Sequence, residues 1–155
     1  MDFTSAIKSG FSNYFNFSGR ASRSEYWYWF LFSVIVGMGL GFIDGILGLY
    51  IVDPVLLDPE MPEYGEIGGT GLLSSLANLA LFIPGLALTW RRMHDLDKSG
   101  AWWFIWFTCI GAIFLIIWHC TKGTAGPNRF GPDPLGSGDT LPEPPAPGEG
   151  PSLGA

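Results

Sequence analysis

Three apolar runs, each long enough to cross a bilayer and together holding a single charge, limit what this chain can fold into. Residues 26–52 contain only Asp44, while residues 72–90 and 101–118 contain no charged side chain. About 20 apolar residues are needed to cross a hydrocarbon core roughly 30 Å thick, so each run meets the requirement. Charged residues make up 14% of the 155 residues, against roughly 25% in a soluble domain. The expectation is an all-α membrane protein with about three transmembrane helices, at residues 26–50, 72–90 and 101–119. A cytoplasmic segment, residues 1–25, precedes this helical domain of residues 26–134. The first run starts too far in, and is too long, for a cleavable signal peptide.

The eight Lys and Arg residues lie outside the runs. With the N-terminus inside, three spans place six of them on the cytoplasmic side and two, Lys122 and Arg129, outside. The C-terminus is then periplasmic, following the retention of positive charge inside. The loop of residues 53–71 carries five acids and no base, which suits the outer face. No basic cluster suits nucleic acid, so the bilayer is the expected partner, with a second copy or another membrane protein beside it. From residue 131 to 155, 13 of 25 residues are Pro or Gly and the four charges are acidic. Such a segment buries too little to offset its ordering entropy, so residues 135–155 are expected to be disordered.

Before the first run, Phe3, Ile7, Phe11 and Phe15 recur every four residues and would line one side of a short interfacial helix. Gly10 and the nearby serines and asparagines favour an irregular segment instead, and the sequence leaves both readings open. Ser22 and Glu25 have capping-box spacing at the entry to the first span.

Within the first run, Gly37, Gly41 and Gly45 form overlapping GxxxG steps that let another backbone approach closely. Gly48 falls near the same face as Asp44. An ionisable group in a span is a functional candidate by default. Asn78, in the antiparallel second run, is expected at a similar depth, within reach of Asp44. That pair reads either as a structural polar contact or as the lining of a proton or ion path. Pro84 removes a helical donor and should bend its helix.

The loop holding Arg91, Arg92, His94, Asp95 and Lys98 is expected to bind lipid headgroups, with its acids pairing its bases. His94 beside Asp95 suggests acid–base chemistry, but no nucleophile elbow or phosphate-binding glycine loop accompanies it. Three spans also place His119 at the far side of the bilayer, so no metal-ligand set forms and no cofactor is expected. Cys109 and Cys120 lack a CxxC spacing and read as packing residues. Residues 123–134, including Asn128, Arg129 and Asp133, are rich in turn formers and predict a compact turn.

Three segments taken together resemble the signatures of domain of unknown function family 805. They are Phe17-Ser-Gly-Arg20-Ala-Ser-Arg23-Ser-Glu25-Tyr26-Trp27, the stretch from Arg91 to Trp103, and the turn from Gly123 to Pro134. The resemblance implies a small protein of the bacterial inner membrane and supplies no mechanism. Asp97 stands where glycine is frequent in that family.

The reading that follows is a non-enzymatic helical bundle that self-associates through its glycine face or serves a partner. An oligomeric transporter or channel using Asp44 and Asn78 is the alternative, and a headgroup enzyme at the inner interface is the second. Three spans separate the turn of residues 123–134 from the other two signature segments. A re-entrant third run would bring all three to one side.

Overall fold

A computed structural model describes residues 1–52 and 70–136. Most of the acidic loop and nearly all of the expected disordered tail lie outside the described residues. The architecture is helical: α1 (Phe3–Ser12), α2 (Arg23–Leu47), α3 (Leu72–Asp95), a 3-10 helix (Gly100–Phe107) and α4 (Cys109–Cys120). A two-stranded antiparallel ribbon, β1 (Tyr50–Val52) with β2 (Thr70–Gly71), joins α2 to α3 at one end.

Helices α2 and α3 have 25 and 24 residues, or about 36–38 Å at 1.5 Å per residue. Both are long and apolar enough to cross a membrane. Ser22 starts α2 by accepting from the Glu25 amide. Gly48 ends it in the left-handed conformation, at φ 65°, a geometry glycine adopts without a Cβ penalty. Gly48, expected as a packing residue, is therefore the helix terminator.

The expected third spanning helix is not one helix. The 3-10 helix has 8 residues and α4 has 12, so their lengths are about 16 and 18 Å, each about half a hydrocarbon core. Thr108 is extended between them, and its side chain accepts from the Gly111 amide to start α4. A Cβ at Gly111 would collide with the Ile105 carbonyl, so glycine permits the tight reversal. Trp102 near the start of the hairpin meets Trp118 near its end, edge to face at 5.7 Å. The hairpin thus returns the chain to the end it left. Residues 121–136 lie with Arg20 and Arg91, not at the opposite end where three spans would put them.

Helix α1 packs against α2, settling its irregular-or-helical ambiguity in favour of helix. Phe3 meets Tyr28, and Phe11 meets Trp29 and Phe32. Gly10 lies against the Trp29 indole so closely that a Cβ there would clash. Beyond α1, the Tyr14 hydroxyl donates to the Ala80 carbonyl at 2.5 Å. That carbonyl lies four residues before Pro84, which has no N–H to bond it. The N-terminal segment thus covers the acceptor that the proline exposes. Trp29, Leu88 and Ala21 form the buried centre of the bundle.

Candidate functional site

At the end of α3, three segments distant in sequence close into one buried polar plate. Arg20, whose side chain is 1% exposed, pairs with Asp95 through Nη2 at 2.9 Å and donates from Nε to the same carboxylate at 3.0 Å. Its remaining donors reach the chain's other end: Nη1 to the Gly126 carbonyl at 2.6 Å and Nη2 to Thr124 at 2.5 Å. Arg92, fully buried, pairs with the second Asp95 oxygen and donates to the Thr121 carbonyl. Both oxygens of one carboxylate therefore serve one arginine from each of two segments.

The backbone of the turn docks on the same residue. Thr124 donates to the Asp95 carbonyl from its amide at 2.9 Å and its hydroxyl at 3.1 Å. A Cβ at Gly123 would run into the Asp95 carboxylate, so only glycine fits there. Asn128 donates to the His94 carbonyl at 2.9 Å and receives the Phe130 amide. The Phe130 ring then stacks on His94, with centroids 3.9 Å apart and planes nearly parallel. Asp133 receives the Gly126 and Leu135 amides, which closes the turn.

His94 Nδ1 lies 3.0 Å from the Gly19 carbonyl. A carbonyl only accepts, so this nitrogen carries the proton and donates. On the other flank, Arg91 Nη1 pairs with Glu25 at 3.3 Å, and the Ser9 hydroxyl donates to the same carboxylate oxygen at 2.7 Å. The Glu25 carboxylate thus binds α1 and α3 rather than turning back to cap its own helix. Buried Arg20, Arg91 and Arg92 face buried Glu25, Asp95 and Asp133, a formal balance of charge. The carbonyl end of α3 adds partial negative charge beneath its arginines.

The other basic candidates form the rim. Arg23 is exposed and reaches the Cys120 carbonyl at 3.4 Å. Lys98 sits over the Trp118 ring at 4.6 Å, and Arg129 pairs with exposed Asp97 at 3.1 Å. Asp97 itself is left-handed, at φ 55°, which gives a physical reason for glycine at that position in the resembling family.

The intramembrane candidates are separated. Asp44, 1% exposed, accepts the Leu73 and Ser74 amides at 2.9 and 2.8 Å. Gly71, where α3 begins, offers no capping side chain, so Asp44 caps α3 from a neighbouring helix. The expected hydrogen bond to Asn78 is not formed. Asn78 lies opposite Gly37, its Oδ1 3.8 Å from where a Cβ would stand. Nothing lies within 4 Å of a Cβ placed at Gly41, and Gly45 is exposed, so this part of the glycine face is unused within one chain.

His119 is at the plate end with His94, contrary to the three-span expectation, because α4 runs back. It is buried beside Tyr26, with ring centroids 4.1 Å apart. Among the described residues no group of three His, Cys, Asp or Glu side chains could hold a metal. Sequence reasoning missed Ser9, Tyr14 and Thr124, whose hydroxyls carry no signal until their distant partners are known.

Two helices of spanning length, an apolar hairpin and a polar plate define the class of a small helical membrane protein. The chain belongs to the family described as Protein of unknown function (DUF805), which matches residues 14–132. It is 44% identical to Inner membrane protein YhaI of Escherichia coli K12 over 123 residues, covering 79% of this chain and 88% of that protein. Inner membrane protein YhaH of the same strain is 39% identical over 124 residues, covering 79% and 89%. The chain is accordingly an integral protein of the bacterial inner membrane. No solved structure matches it.

Proposed function

We propose that the chain is a non-catalytic membrane subunit with two crossings, one re-entrant hairpin and both termini in the cytoplasm. It works by presenting a rigid cytoplasmic plate while α2 pairs with a second copy. The observation that carries the topology is the distribution of charge. With the hairpin folded back, all eight Lys and Arg residues of the chain fall at the plate end, where three crossings would divide them six to two. Retention of positive charge on the cytoplasmic side favours the undivided arrangement.

The plate's donors support a clamp rather than a catalyst. Arg20 binds carboxylate and carbonyls of the same chain, and His94 is held between Gly19 and Phe130. An acid–base role needs a group within reach of a substrate proton, and these are engaged internally. Asp44, the residue a transporter would use, is occupied in capping α3. Pairing through α2 rests on the open backbone at Gly41, where a helix can approach closely.

One fusion experiment addresses both halves of the reading. A cytoplasm-active reporter placed after Ala155 should be active, and a periplasm-active one silent. The same reporter split between two copies should regain its signal, and Gly41→Leu should abolish that regain. A silent whole reporter overturns the topology; silent halves with an active whole overturn self-association.

A further inference from the structure

Between α2, α3 and the hairpin lies a cleft formed by two cavities of about 280 and 190 Å3 that share Tyr26, Thr89 and Trp103. Its rim includes Phe30, Phe82 and Trp106, each half exposed or slightly more, so the cleft opens sideways toward the bilayer rather than toward water. A purely apolar pocket there would be filled by acyl chains. This one is not purely apolar.

His119 lines the smaller cavity and is 4% exposed. Its Nδ1 lies 2.5 Å from the Leu115 carbonyl, so Nδ1 carries the ring proton. In the neutral ring Nε2 is left as an acceptor only, and Nε2 is buried without a partner. A buried acceptor without a donor is costly, more so where no bulk water reaches. Tyr26 and Trp29 also line the cleft, and among the described residues neither the phenol hydroxyl nor the indole N–H makes a hydrogen bond.

We infer that this cleft binds a lipid-soluble molecule whose flat ring carries a hydroxyl, the chemical class of a membrane phenol or quinol. The ring hydroxyl supplies the donor that His119 Nε2 lacks. Tyr26, Trp27 and Trp103 provide flat walls, on which a ring packs with its edge or face. The larger cavity continues past Phe30 and Phe82 and accommodates the apolar tail. A phospholipid fits less well. Among the described residues no Lys or Arg lines either cavity to meet a phosphate, and an ester carbonyl cannot donate to an acceptor nitrogen. The site selects by donor, so it prefers the hydroxylated ring to the same ring without O–H.

The full chain in phosphatidylethanolamine–phosphatidylglycerol nanodiscs, titrated calorimetrically under nitrogen against protein-free discs, tests this. The probes are 2-decyl-1,4-benzoquinol and its dimethyl ether. The quinol should bind saturably and about tenfold more tightly than the ether, the worth of one hydrogen bond. His119→Phe keeps a ring against Tyr26 and should weaken the quinol to the level of the ether while leaving the ether unchanged. Equal affinities for the two probes on the unaltered chain, or no saturable quinol binding, overturn the proposal. If His119→Phe does not fold, the probe pair on the unaltered chain decides alone.

Discussion

The two ends of the bundle are closed by different means. At the plate end, buried Arg20, Arg91 and Arg92 interlock with the Glu25 and Asp95 carboxylates, and each of these five charges has a partner from a distant part of the chain. At the ribbon end one carboxylate, Asp44, receives two backbone amides of the next helix. The first arrangement holds α1, the start of α2, the end of α3 and the turn after the hairpin together and is expected to fail as a unit. The second fastens one helix start to one neighbour. In a bilayer, where association of helices has little hydrophobic drive, the plate is what sets their order.

If that contrast is right, the ends should differ most in response to losing one carboxylate. Asp95→Ala strands Arg20 and Arg92 without their shared partner. It should cost about 3–5 kcal/mol, the usual result of removing one side of a buried pair. Denaturant titration in mild detergent reads the loss, and trypsin should then cut at Lys122 before the bundle unfolds. A cost near that of an ordinary surface change would mean the plate is not the clamp. Asp44→Ala should be milder, about 0.5–2 kcal/mol, the range for a lost helix cap. In the same titration a larger cost for Asp44→Ala than for Asp95→Ala would invert the comparison.

The smallest effect sharpens it from the rim. Asp97→Gly relieves a left-handed non-glycine residue, worth about 1–2 kcal/mol. It also gives up an exposed ion pair with Arg129, worth about 0–1 kcal/mol. The two terms leave a stability gain of about 0–2 kcal/mol. Destabilisation would show that the Arg129 pair belongs to the plate rather than to its rim.

Helices α2 and α3 were legible in the sequence because length and apolarity decide them. The hairpin was not, since hydropathy counts charges and the run from Ala101 to Trp118 has none. The turn signal was present in Thr108 and Gly111, a capping residue with a glycine three positions on, but it sits among aromatic and aliphatic residues that outweigh it. Lys122 and Arg129 were the second clue, two bases stranded outside when three spans start from an inside N-terminus. Once the hairpin is mistaken for a span, the convergence of Arg20, Asp95 and Thr124 becomes invisible, because contact across the plate depends on topology. Asp44 was recognised as polar and inward, yet its partners are backbone amides, which no residue type announces. Asn78, the side chain chosen for it by depth, lies another turn along α3.

The reach of Arg20 also orders events in time. Its acceptors at Thr124 and Gly126 are 104 and 106 residues further along the chain. At roughly 5–20 residues per second of synthesis, that guanidinium waits about 5–20 s after it is made before they exist. Both long helices and the hairpin have already been made when it closes. Until then Arg20 lacks both acceptors, so this contact joins an early segment of the chain to a late one only after everything between them has been made.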